Sequence, residues 1–128
     1  MDGAPELVAH FARAADPDQA LRYLLGLRES APVELAALIA DPDAAARLIR
    51  VLGASSGLGD FLARHPRELQ ALATPITAPP TEYGADLLAA VDGLKGDAAW
   101  VALRVRYRRH LVQLTAWAIV TIATYAIP

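Results

Sequence analysis

Two sets of residues in this chain have types and spacing that could do chemistry. The first is Gly53-Ala54-Ser55-Ser56-Gly57-Leu58-Gly59, a glycine-rich run of the kind that lets backbone amides approach a pyrophosphate at a helix N-terminus. The second is the group Arg104, Arg106, Arg108 and Arg109, whose planar guanidinium groups suit phosphate or a partner's carboxylates. His10, His65 and His110 are far apart, lack metal-ligand spacing, and have no clear serine or carboxylate partner in sequence. They read as surface or packing histidines.

The glycine run fails as a dinucleotide site on its context. Such a turn must follow a buried strand, whereas Asp41 to Leu52 opens with a helix-start signal and continues at helical spacing. The tyrosine-lysine pair that short-chain reductases carry one helical turn apart is missing too, because Val91 lies four residues before the single lysine, Lys95. The alternative is a corner between two helices. The first ends near Leu52, Gly53 takes a left-handed C-terminal position, Ser55 or Ser56 caps the next helix, and His65-Pro66 closes it.

The elements that position these residues are helical. Alanine, leucine and arginine dominate and β-branched runs are scarce before the C-terminus, so the expected fold is all-α, an irregular bundle of about six to seven helices with an apolar C-terminal segment. Ala15-Asp16-Pro17-Asp18 and Ala40-Asp41-Pro42-Asp43 are two similar helix starts, each with a capping aspartate, a proline at the first position and an acid at the positive end of the dipole. The first helix should run from Ala4 to about Ala15 with Leu7, Val8 and Phe11 on one face. Leu21, Leu24, Leu25 and Leu27 should form one apolar stripe and Leu48, Ile49, Val51 and Leu52 another, with Arg22, Arg28, Arg47 and Arg50 toward water.

Three blocks follow. Residues 1–72 form an N-terminal helical block, 73–82 a Pro/Thr-rich linker, and 83–128 the C-terminal helices, with Gly93 to Gly96 breaking one helix before Asp97 caps the last. Residues 1–97 carry all 14 acids and 8 of the 12 bases, whereas 98–128 carry four arginines and no acid. Elsewhere bases and acids interleave, which argues against a nucleic-acid surface. The absence of cysteine excludes disulfides and thiolate sites and fits a cytoplasmic setting, and the first residues lack the pattern of a secretory signal. Leu111 to Pro128 has no charged side chain and borders on the length of a membrane anchor. Its threonines and Gln113 argue against that, and its β-branched end, Ile119 to Tyr125, also fits a buried strand.

Read with a helical corner, Arg47 through Pro66 resembles the N-terminal helical region of the bifunctional glutamine synthetase adenylyltransferase/adenylyl-removing enzymes. Ala40 to Arg47 looks like that region's lead-in, and Ala102-Leu103-Arg104-Val105-Arg106-Tyr107-Arg108-Arg109-His110-Leu111 like its Leu-Arg-x-x-Tyr-Arg-Arg helix. The resemblance covers about residues 15–115. It implies regulation of nitrogen assimilation by AMP transfer, two nucleotidyltransferase domains using Mg2+ and ATP, and glutamine synthetase and the PII protein as partners.

The family's metal-binding pattern is a glycine-rich turn followed by two aspartates one residue apart on a strand. Asp16/Asp18 and Asp41/Asp43 have the spacing, but each straddles a proline at a helix start, so no catalytic, cofactor or metal residue is carried over. After Thr115 the sequence departs from the family's polar continuation, as a truncated gene end would. The expectation is a non-catalytic fragment; an independent helical interaction module and a small tail-anchored protein are the alternatives.

Overall fold

A computed structural model describes the backbone of residues 4–74 and 83–126 and the side chains of residues 8–74 and 83–118. Among these residues there is no strand. The protein is an all-α irregular bundle: α1 (Ala4–Ala12), α2 (Pro17–Ser30), α3 (Pro32–Ile39), α4 (Pro42–Ala54), α5 (Ser56–Arg64), a 3₁₀ helix (Pro66–Leu72), α6 (Tyr83–Ala90) and α7 (Gly96–Ala126). Most of the expected linker, residues 75–82, and the Leu7 side chain lie outside the described residues.

The two Asp-Pro-Asp starts behave as their chemistry dictates. Asp16 Oδ1 accepts from the Gln19 amide at 3.0 Å and Asp41 Oδ1 from the Asp43 amide at 3.0 Å, while Pro17 and Pro42 occupy a position where no donor is needed. Ser55 caps α5 through the Leu58 amide at 3.1 Å.

α4 is the central rod. Leu48, Ile49, Val51 and Leu52 are all buried, packed with Leu27, Leu62, Leu69 and Leu72 from elements on either side. Val112 and Ala116 of α7 enter the same core, so the apolar run beginning at Leu111 supplies packing for the N-terminal helices. The backbone of Ile119 to Tyr125 continues α7 as helix and forms no strand. No helix among the described residues is long and apolar enough to cross a membrane.

Several details differ from the sequence reading, each for a packing reason. Gly53 is not left-handed: α4 runs on to Ala54, and the positive-φ glycines are Gly93 (φ 74°) and Gly96 (φ 60°), which flank the break between α6 and α7. Gly53 is small because a Cβ there would stand 2.9 Å from Ala14 Cβ and 3.2 Å from the Asp16 carbonyl oxygen. The α1–α2 corner rests directly on α4. Asp97 lies inside the first turn of α7 and does not cap it, since the helix begins at Gly96.

α2 buries Ala20 and Leu27, with Leu24 packed against them, and leaves Leu21 and Leu25 exposed. On α1, Phe11 packs inward while Val8 is exposed. Arg47 is not toward water. It is buried, donating from Nε to the Leu72 carbonyl at 2.9 Å and from Nη2 to the Ala73 carbonyl at 3.2 Å. Its cation thus meets the carbonyls left over at the end of the 3₁₀ helix, where the dipole is negative.

Candidate functional site

The four arginines of α7 do not act together. At 100° per residue, positions 106 and 110 share one side of the helix, 109 the next, and 104 and 108 another. Arg106 Nη1 donates to Asp86 Oδ1 of α6 at 2.8 Å, and His110 Nε2 meets Asp86 Oδ2 at 2.6 Å. An ionised carboxylate only accepts, so Nε2 is the donor. Tyr83, one turn before Asp86, places its ring edge-on to His110 at 4.9 Å. His110 therefore has the carboxylate partner that its sequence surroundings hide.

Partial burial pushes the Asp86 carboxyl up. The hydrogen bond from His110 and the charge of Arg106 pull it down further, so it ends below the ordinary carboxylate range. A lowered folded-state pKa contributes stability above the unfolded value, about 3.9, and loses it as pH falls through the folded one. Asp86→Asn should therefore lower the melting temperature at neutral pH, by an amount matching about 1 kcal/mol because these side chains are about a third exposed and screened. The gap between wild type and variant, followed by circular dichroism, should close as pH falls below about 4.

Arg109 turns to the 3₁₀ helix, where its guanidinium forks onto both carboxylate oxygens of Glu68, Nη2 to Oε1 at 2.8 Å and Nε to Oε2. The hydrogen bond to Glu68 raises the Arg109 pKa, against the opposing effect of burial. Glu68 is buried, with 6% of its surface exposed. These pairs tie α7 to α6 and to the 3₁₀ helix, and they occupy Arg106 and Arg109.

Arg104 and Arg108 face a different wall. With Phe61, Arg64 and His65 of the α5 end, and with Val101 and Val105, they line a cleft of about 220 Å³. The His65 and Phe61 rings lie 5.2 Å apart between centres, tilted 42° to each other. Among the described residues, the ion pairs involve Arg106, Arg109 and His110, so the cleft's three arginines have no described carboxylate partner. The sequence reading singled out Arg104 and Arg108 but not Arg64 or His65. They come to the cleft because α5 runs antiparallel to α7, a long-range placement with no local signal.

At the glycine corner, close packing accounts for Gly53 and Gly59. Tyr23 of α2 lies against Gly59, where a Cβ would stand 2.9 Å from the ring, and its hydroxyl donates to Asp60 Oδ1 at 2.7 Å and to the Ser56 carbonyl at 3.0 Å. The hydrogen bond to Asp60 raises the Tyr23 pKa. Neighbouring helices thus occupy the space beside Gly53 and Gly59. Asp16 and Asp41 each use a carboxylate oxygen to cap a helix, and among the described residues no three His, Cys, Asp or Glu side chains converge as a metal site would require.

Comparison with curated proteins gives a consistent set of relatives. The chain is 47% identical over 120 residues to the bifunctional glutamine synthetase adenylyltransferase/adenylyl-removing enzyme of Leifsonia xyli subsp. xyli, an alignment covering 88% of this chain and 12% of the relative. It is 40% identical over 118 residues to the protein of the same name from Streptomyces avermitilis, with 88% and 12% covered. The chain belongs to this family. A relative from Xanthomonas campestris pv. campestris is 39% identical over 111 residues, covering 84% of this chain and again 12% of the relative. No family model matches the chain, and no solved structure does.

The chain therefore spans about one-eighth of the length of these adenylyltransferase relatives. What they share with it is the sequence of one stretch. Within that segment, Arg106 and Arg109 are committed to the internal ion pairs. Arg104 and Arg108 remain on the open side of α7.

Proposed function

We propose that this chain is a non-catalytic packing unit of a glutamine synthetase adenylyltransferase/adenylyl-removing enzyme, corresponding to the helical region that precedes the first nucleotidyltransferase domain. Its role is to hold the neighbouring adenylyl-removing domain in place. On this reading the AMP-transfer chemistry, with its Mg2+ and ATP, belongs to other parts of such an enzyme, as do the contacts with glutamine synthetase and PII, and the setting is cytoplasmic. The observation that carries it is 47% identity to a stretch making up 12% of the Leifsonia xyli relative. The capping duty of both aspartate pairs supports it.

The test is a segment exchange. With this chain in place of the homologous stretch of the Leifsonia xyli enzyme, both AMP attachment and AMP removal should persist within about tenfold, while deletion of the stretch should reduce removal by at least about a hundredfold. The purified chain alone should transfer no AMP to glutamine synthetase. Transfer by the chain alone, or full activity after deletion, would defeat the proposal.

A further inference from the structure

The seam between α5 and α7 is an open groove. One end is the cleft of Phe61, Arg64, His65, Arg104, Val105 and Arg108. The other, between Ser55–Leu58 and the stretch of α7 from Tyr107 to Thr115, holds a second cavity of about 390 Å³. Arg108 borders both. From Val101 to Thr115 the groove extends about 21 Å along α7, or four helical turns.

Its chemistry has two parts. The floor and near edge are apolar, with Phe61 and Leu58 beneath and Val101 (47% exposed) and Tyr107 (54% exposed) left open. The rim is cationic, carrying Arg64 on one wall and Arg104 and Arg108 on the other. Of the described acids nearby, Asp86 and Glu68 are held by arginines on other sides of α7 and Asp60 accepts from the Tyr23 hydroxyl, while Asp97, exposed at the start of α7 on the side of Arg104 and Arg108, lies outside the lining of either cavity. Exposed aromatic and aliphatic groups framed by arginine, with lysine absent, are the composition of a protein-binding surface.

We infer that this groove docks an acidic amphipathic helix supplied by the polypeptide outside this segment. Charge complementarity selects the acidic partner. The four-turn length and the apolar floor select a helix with apolar side chains at three- and four-residue spacing. The relatives extend far beyond the stretch that matches, so such a segment is available in the same polypeptide. The inference rests on reading the chain as a packing unit of a larger enzyme and names the surface through which it packs.

The test uses the whole 128-residue chain and overlapping peptides of about 20 residues that tile the Leifsonia xyli relative outside the matched stretch. Binding is read by fluorescence anisotropy. Peptides with net negative charge and a helical apolar repeat should bind, and the double variant Arg104→Glu/Arg108→Glu should weaken them at least tenfold. The same affinity should fall as sodium chloride rises from about 50 to 300 mM. Both arginines are exposed, so the variant should keep its helical circular dichroism. Arg64→Glu, on the opposite wall, provides the same reading if it does not.

Tiles that bind regardless of charge, binding unmoved by either charge reversal, or no tile bound more tightly than about 1 mM would overturn the inference. So would a chain that takes up inorganic pyrophosphate at the arginines and no peptide. An active segment exchange beside a groove that binds no tile would sink this inference alone and leave the proposed function standing.

Discussion

Arg109→Ala is expected to destabilise the fold by about 3 kcal/mol, because it strands Glu68. Glu68 lies in the 3₁₀ helix with 6% of its surface exposed, and both its carboxylate oxygens are satisfied by one guanidinium. Without that fork the carboxylate keeps its desolvation cost and loses the charge that offsets it. Arg109 itself is 35% exposed, so water reaches the pair from the α7 side and holds the loss near the lower end of the range for buried pairs. Replacing both partners, as Glu68→Leu with Arg109→Met, should recover most of the loss, since neither leaves a charge behind. Urea unfolding of wild type, Glu68→Leu, Arg109→Met and the double variant closes the cycle. A coupling below about 0.5 kcal/mol would mean that the pair is solvated and does not anchor α7.

That pair also marks the limit of what is legible in the sequence. Local chemistry was legible: the two Asp-Pro-Asp starts, the Ser55 cap, the helical turn beginning at Pro66 and the break at Gly93–Gly96 all depend on residues within one turn of each other. Partners distant in sequence were not. Glu68 and Arg109 are 41 residues apart, Asp86 and His110 are 24, and Arg47 reaches carbonyls 25 and 26 residues away. A charge pattern assigns such residues to water until packing supplies the partner. α2 shows the same limit for apolar residues. Its leucines cover an arc of about 160°, so their pattern does not fix which edge of the stripe faces inward; the close approach of neighbouring helices does, burying Ala20 completely and leaving Leu21 44% exposed. In the arginine helix the motif marks four candidate residues, and only the fold divides them into two paired arginines and two that border an open groove.

The glycine corner gives the second large effect, and it separates packing from ligand binding. Gly53 and Gly57 both lie in helices with ordinary backbone angles, so alanine at either should gain about 1 kcal/mol of helix propensity. They differ in what surrounds them. At Gly57 a new Cβ meets only Ser55 Oγ at 3.8 Å, an ordinary contact, and Gly57→Ala should raise stability by close to that amount. At Gly53 the Cβ meets Ala14 Cβ at 2.9 Å and the backbone oxygen of Asp16 at 3.2 Å, neither of which can rotate away. Overpacking of this kind costs about 1–3 kcal/mol, so Gly53→Ala should come out net destabilising. Gly53→Val adds two branches and a poorer helix former, and should cost about 4 kcal/mol or more as α1 and the start of α2 are levered off α4. Thermal unfolding of the three variants ranks them. A glycine turn built to let a phosphate approach would penalise alanine at both positions, whereas this one penalises it only where another helix already occupies the space.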